Sequence, residues 1–459
     1  MPNRFVCLLA AFAVLLPGLV RADPFWFGAD LSFANEMEDC GATFRVGNVA
    51  EDPFTIFHDH GANLVRVRLW NDPDWTRYST LADVEKTIRR AHAAGMRVLL
   101  DFHYSDDWAD GDKQIRPKAW AGLDDAALAK ALYAFTYDTL TRLNADGLSP
   151  ELVQVGNETN APLLGGKKGD LIDWTRNAAL FNAAIKAVRD SGAKAVVPPR
   201  VMIHIAQPEN VEPWFKAATA AGVTDFDLIG ISYYPKWSKQ TLRGLGLTIN
   251  RLRYRYPNAQ VLVVETAYPW TLQNADTSPN VLGDDGLIPD DPATPAGQKK
   301  YLIDLTQTVM SSGGVGVVYW APDWVSTRCK TRWGQGSSWD NATFFDFDHR
   351  LLPGIDFMRA PYAAPVAVAF VVHARTPHDG PYYLWGDFLG AKDFVVRLDP
   401  DGHGAWRFET TLPAGQVVRF QLYGGLPLGA GLLTGEAAPG GVSSATVGTG
   451  ATVVERTVP

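Results

Sequence analysis

Two glutamates stand out for their position. Glu158 closes the run Leu152-Val153-Gln154-Val155-Gly156-Asn157-Glu158, and Glu265 closes Val261-Leu262-Val263-Val264-Glu265. Each ends a short apolar stretch, the pattern of a buried strand whose C-terminal end opens onto a loop face. Taken singly, either residue could merely end a strand or cap a helix. As a pair beside aromatic residues they supply what glycosidic cleavage requires. One carboxylate attacks the anomeric carbon, and the other protonates the leaving oxygen. In the retaining version the two stand about 5–5.5 Å apart. The acid has to be protonated near neutrality, through a dry setting or a second carboxylate nearby, while the nucleophile stays ionised.

Further residues could serve that chemistry. Arg66 and Arg68 alternate along one strand-like run and so share its inward face. Either could hold the nucleophile charged, or could form an ion pair inside a barrel. Asn157 precedes Glu158 and could hydrogen-bond a sugar 2-hydroxyl. Tyr234, or its neighbour Tyr233, could donate to the nucleophile. His103 ends another run; a structural role suits it better than proton transfer, and it is counted with the substrate-binding candidates. Trp108, Trp270 and Trp320 follow strand-like runs, where their faces could stack on sugar rings. Asp284, Asp285, Asp290 and Asp291 share one loop but lack calcium-loop spacing, so the reading is a solvated acidic loop, with no metal and no cofactor.

Eight strand-like runs would carry these groups: residues 26–31, 64–70, 98–103, 152–158, 201–205, 228–233, 261–265 and 315–320. Helical patterns at 83–94, 124–143, 174–189 and 297–310 separate several of them. Repeated strand–helix alternation predicts an α/β fold, a (β/α)8 TIM barrel, because parallel neighbours need a crossover. An open doubly wound sheet is disfavoured, since no glycine-rich phosphate loop follows an early strand. In such a barrel the runs holding Glu158 and Glu265 lie nearly opposite, and their side chains converge over the mouth.

The chain has 459 residues, 46% of them hydrophobic, and a net charge of −8. It is long enough for a barrel and a smaller domain. No basic cluster points to nucleic acid. Residues 1–22 read as a signal peptide: Arg4, an apolar stretch containing Pro17 and Gly18, then small residues around Val20-Arg21-Ala22. Export to the periplasm or outside the cell is therefore expected, with no membrane attachment after cleavage. Cys7 leaves with that segment. Cys40 and Cys329 would follow the first and eighth strands, neighbours in a closed barrel, and are expected to form a disulfide. Residues 23–360 form the expected barrel, and 361–459 a linker and a small all-β sandwich domain. Its antiparallel strands are expected at 367–373, 382–385, 394–398, 405–411 and 417–423, with a turn at Asp399-Pro400-Asp401-Gly402. Residues 424–451 are glycine- and alanine-rich and read as loosely ordered, before a last strand at 452–456.

Several stretches together resemble the endo-β-1,4-galactanases of glycoside hydrolase family 53. They are Gly28-Ala29-Asp30-Leu31-Ser32, Val65-Arg66-Val67-Arg68-Leu69-Trp70-Asn71-Asp72-Pro73, Leu100-Asp101-Phe102-His103-Tyr104-Ser105-Asp106, Val155-Gly156-Asn157-Glu158, Ile231-Ser232-Tyr233-Tyr234-Pro235, Val264-Glu265-Thr266-Ala267-Tyr268-Pro269-Trp270 and Ser338-Trp339-Asp340-Asn341. The resemblance implies Glu158 as acid/base, Glu265 as nucleophile, and retaining endo-cleavage of β-1,4-galactan such as pectin side chains; separately, the chain is expected to be a monomer. It adds Trp339 to the substrate-binding candidates. Thr159-Asn160-Ala161 replaces the family's usual Asn-Gly-Trp, which would remove one stacking surface. More faintly, Tyr382–Gly386 and Trp406, followed by Leu412-Pro413-Ala414-Gly415, resemble starch-binding-type sandwiches; a structural appendage is the favoured reading. The alternatives are another β-glycanase of the same clan, a mannanase or glucanase, and a non-catalytic carbohydrate-binding protein.

Overall fold

The computed structural model describes residues 24–332, 334–374, 381–390, 395–400, 404–424, 427–428, 432–433 and 442–458. The expected signal segment lies outside them. Eight parallel strands close into a barrel: β1 (Trp26–Asp30), β2 (Leu64–Leu69), β3 (Arg97–Phe102), β4 (Leu152–Val155), β5 (Arg200–Ala206), β6 (Leu228–Ser232), β7 (Gln260–Thr266) and β8 (Gly316–Tyr319). Pairing runs around the cylinder in chain order, and β1 joins β8. Helices at Leu81–Ala93, Asp125–Ala145, Trp174–Gly192 and Pro295–Ser311 match the helical patterns to within a few residues. Helices at Pro208–Ala220 and Leu242–Arg255 complete the outer ring after β5 and β6.

The lumen has two storeys. Trp26, Leu64, Leu99, Leu152, Met202, Leu228, Leu262, Val264 and Val318 pack together as an apolar floor. Two residues further along, the same alternation brings up Arg66, Asp101, Gln154 and His204, and four residues beyond Leu228 it brings up Ser232, all buried. The strands are hydrophobic on both faces only as far as the floor; the layer above is polar and must satisfy itself internally.

The seventh strand departs from strict alternation. Val263 packs outward with the helices and Val264 inward with the floor. Continued alternation would turn Glu265 outward. Instead, register slips between Ile231 and Ser232 against β6, and between Val317 and Tyr319 against β8. This bulge inserts one residue and brings Glu265 back over the lumen, while Thr266 turns out to Tyr301 at 3.0 Å.

Beyond the barrel, Val366–Ala374, Ala405–Leu412, Thr452–Val458 and Asp399–Pro400 form one sheet, and Tyr382–Gly386, Val417–Gly424, Ser443–Thr446 and Val396–Arg397 another. Three expectations need correction. Val366–Ala374 pairs in parallel with Thr452–Val458, so the module is not wholly antiparallel. Asp399–Pro400 pairs with Arg407 and Trp406 instead of turning; residues 401–403 lie outside the described set. Ser443–Thr446, within the stretch expected to be loose, is a paired strand. The module docks on helix Leu242–Arg255: Asn250 and Arg251 donate to the carbonyls of Phe388 and Leu389, and Arg253 Nη1 to Thr411 Oγ1 at 3.1 Å. Cys40 and Cys329 are joined in a disulfide that ties the segments following β1 and β8.

Candidate active site

Arg66 is the hub of the polar storey. It is 1% exposed and spreads across the lumen, with Nη1 2.8 Å from Asp30 Oδ2, and Nη2 2.7 Å from Asp101 Oδ2 and 2.8 Å from Glu265 Oε1. It also donates to Asn157 Oδ1 at 2.8 Å and Gln154 Oε1 at 3.3 Å. A planar fork of donors suits this many acceptors. Of the two alternating arginines, Arg66 alone takes Glu265. Arg68 donates to Ser79 Oγ, and its guanidinium lies 4.7, 4.7 and 4.2 Å from the ring centres of Phe33, Trp70 and Trp108, so it braces an aromatic wall.

Glu265 accepts a second contact from the Tyr234 hydroxyl, which donates to Oε2 at 3.2 Å. Burial pushes its carboxyl well above the usual range; Arg66 pulls it back, and Glu158 pushes it up again. Glu158 sits differently. β4 ends at Val155, and the chain then passes through Gly156 (φ +89°) to Glu158 itself at φ +44°. A left-handed glutamate costs about 1–3 kcal/mol, which its surroundings must over-determine. Gln114 Nε2 donates to the carbonyls of Asn157 (2.8 Å) and Glu158 (3.3 Å), and Thr159 N–H to His204 O at 2.9 Å. A Cβ on Gly156 would come within 2.6 Å of the Thr159 methyl, so that turn needs glycine. The half-buried carboxyl accepts from the Ser232 hydroxyl at Oε1 (2.5 Å) and from Gly111 N–H at Oε2 (3.1 Å). Burial raises it, against the pull of Ser232 and Gly111.

Aromatic rings line one side of the mouth. Trp320 meets Trp339 edge-on at 4.7 Å and Trp108 at 6.0 Å; Trp339 in turn lies edge-on to Tyr234 at 6.2 Å. Trp108 and Trp320 are half-buried, with surface left for a ligand, whereas Trp339 is 3% exposed. Trp270 packs against Phe347 and donates to Asp340 O at 3.1 Å, apart from those rings. His103 is buried with both ring nitrogens occupied: Nε2 faces Asp101 at 3.0 Å, and Nδ1 receives Trp70 and Ala109 N–H groups. Both nitrogens are thus taken up by the framework, and the expected substrate contact is left to the 3% of its surface that is exposed. Asp291, expected in a solvated acidic loop, is fully buried beside Lys300 Nζ at 2.7 Å.

Several site residues escape a reading of strand ends. Gln154, His204 and Ser232 are polar positions inside apolar runs, and that interruption was the available signal. Gly111 and Gln114 come from a loop whose fold no local pattern reveals. Trp237, 42% exposed, lies edge-on to Tyr234 at 5.0 Å and adds an open ring beside the site.

An apolar-floored parallel barrel that brings two carboxyls together at its C-terminal mouth, beside tryptophan faces, is built for hydrolysing bonds between sugars, and the chain is a glycoside hydrolase. The model of glycosyl hydrolase family 53 matches residues 26–358. An arabinogalactan endo-beta-1,4-galactanase of Cellvibrio japonicus is 52% identical over 78% of this chain and 98% of its own length. The endo-beta-1,4-galactanase of Bacillus subtilis is 34% identical over 72% and 84%. A solved GH53 catalytic domain from Ignisphaera aggregans superposes with a TM-score of 0.67 at 33% identity, covering 74% of this chain and 96% of that one. The chain belongs to glycosyl hydrolase family 53.

Proposed function

We propose that the protein is an exported, monomeric, retaining endo-β-1,4-galactanase acting on galactan or arabinogalactan side chains of pectin. The names of the relatives support the substrate, and one asymmetry in the site carries the assignment of roles. Glu265 has a cation in contact, and Glu158 has only neutral donors. Burial raises both carboxyls, yet moving the proton from Glu158 to Glu265 would break a 2.8 Å pair with Arg66. The proton therefore resides on Glu158.

In the first step a Glu265 oxygen forms a bond to the anomeric carbon as the C1–O bond breaks. The bonding pair leaves with the glycosidic oxygen, which takes the Glu158 proton. Water then attacks C1, gives a proton back to Glu158, and releases Glu265. Tyr234 and Arg66 hold Glu265 oriented for attack. Asn157 Nδ2 donates one hydrogen to Ala109 O at 2.8 Å, and its other hydrogen serves a sugar 2-hydroxyl. Trp108 and Trp320 stack on sugar rings.

The test is product analysis on linear β-1,4-galactan, with β-mannan and β-glucan in parallel, following the anomer first formed. Short β-anomeric galacto-oligosaccharides from galactan alone are expected. Release from mannan or glucan at a similar rate, or an initial α-anomer, would defeat the proposal.

A further inference from the structure

Behind Glu158 a hydrogen-bonded chain runs into the barrel wall. His204, on β5, is fully buried. Its Nε2 lies 2.8 Å from Ser232 Oγ, and Ser232, at the end of β6, donates to Glu158 Oε1. Its Nδ1 faces Glu158 N at 3.3 Å, Gln154 Nε2 at 3.1 Å and Asn157 Oδ1 at 3.0 Å.

The direction of this chain follows from a donor that cannot reverse. A backbone N–H only donates, so the Glu158 amide requires Nδ1 to accept. Asn157 Oδ1 already receives Arg66 Nη2 and does not need an Nδ1 proton. Burial and the nearby Arg66 keep the imidazole neutral, so its single proton is on Nε2. That proton points at Ser232 Oγ, and the hydroxyl hydrogen is left facing Glu158 Oε1. Ser232 cannot turn round to accept from Glu158 without setting its own hydrogen against the one on Nε2.

We propose that His204 is a positioning residue of the acid/base machinery: acting through Ser232, it fixes a permanent donor on Glu158 Oε1 and leaves Oε2 to carry the proton exchanged with the glycosidic oxygen. The inference rests on Glu158 being the acid/base. It gives the carboxyl two distinct oxygens. Oε1 is held as an acceptor through the whole cycle, and steadies the carboxylate left after proton donation. Oε2 has a single weaker donor, Gly111 N–H, and is the oxygen that gains and loses hydrogen.

The test is the pH dependence of kcat/KM in Ser232→Ala, Ser232→Thr and His204→Ala, with Glu158→Gln as reference. The other groups facing Glu158 stay in place: Asp110 from the loop after β3, Arg66 from β2, Tyr234 after β6 and Glu265 from β7. Ser232→Ala removes a donor to the ionised carboxylate, so the alkaline limb should move up by about one pH unit. His204→Ala should move it the same way by less, and Ser232→Thr should keep the original limb. A loss of rate in Ser232→Ala with an unmoved alkaline limb would overturn the inference. Nitrogen NMR of the full chain gives an independent reading, because the bare Nδ1 and protonated Nε2 of His204 have separate signatures. An Nδ1–H tautomer, or an imidazolium near neutral pH, would also overturn it. Persistence of the alkaline limb in Glu158→Gln would instead remove the acid/base assignment itself, whatever the Ser232 variants do.

Discussion

Glu158 and Glu265 are the same residue at the mouth of the same barrel, yet they are held by opposite means. Glu265 is set by a strand: a bulge in β7 re-aims it, and Arg66 and Tyr234 clamp both its oxygens. Glu158 is set by a turn: its backbone is left-handed, and only a hydroxyl and a peptide N–H touch its carboxyl. In the proposed roles, charge contact keeps one carboxyl ionised, and its lack frees the other to change protonation. Two roles thus come from surroundings and not from side-chain chemistry.

The comparison can be broken most severely at Glu265. Glu265→Ala should lower kcat on galactan by on the order of 10⁵-fold, as for other lost nucleophiles. Glu158→Gln should lose roughly 10²–10⁴-fold on galactan. It should keep most of the first-step rate on aryl galactosides whose leaving group needs no proton, seen as a burst of phenol. Equal losses on both substrates would erase the distinction. Arg66→Met should cost about 3–5 kcal/mol of stability, because three carboxylates lose their shared cation. Thermal or denaturant unfolding would measure it. Tyr234→Phe should lower kcat/KM by about tenfold, the value of one hydrogen bond to a charged group. It should also move the acidic limb upward, since ionised Glu265 loses a donor. In the unmodified enzyme the alkaline limb should lie above the ordinary carboxylate range. Burial raises Glu158, and activity is lost only as pH climbs through that raised value and strips the acid of its proton.

Much of this was legible in the chain. Apolar runs mark all eight barrel strands, because each must be buried on both faces. The helix Leu242–Arg255 was not marked: Gly244 and Gly246 weaken its local preference, and packing makes up the difference. The helix Pro208–Ala220 carries Pro213 inside it, which obscures it in the same way. Strand periodicity found both glutamates but not how they are aimed. The β7 bulge depends on pairing with β6 and β8, and the Glu158 turn depends on Gln114 and His204 from elsewhere in the chain. The tail aromatics were equally opaque: Trp385 is 6% exposed and packed away, whereas Trp406 is half-buried, edge-on to Tyr382.

Azide rescue of the two alanine variants tests the division of roles most directly. With an activated aryl β-galactoside, azide should restore Glu158→Ala and give the β-galactosyl azide, because Glu265 still forms the intermediate that azide opens. With Glu265→Ala, azide should attack from the vacated side and give the α-galactosyl azide. The same anomer from both variants, or the two anomers exchanged, would contradict the account.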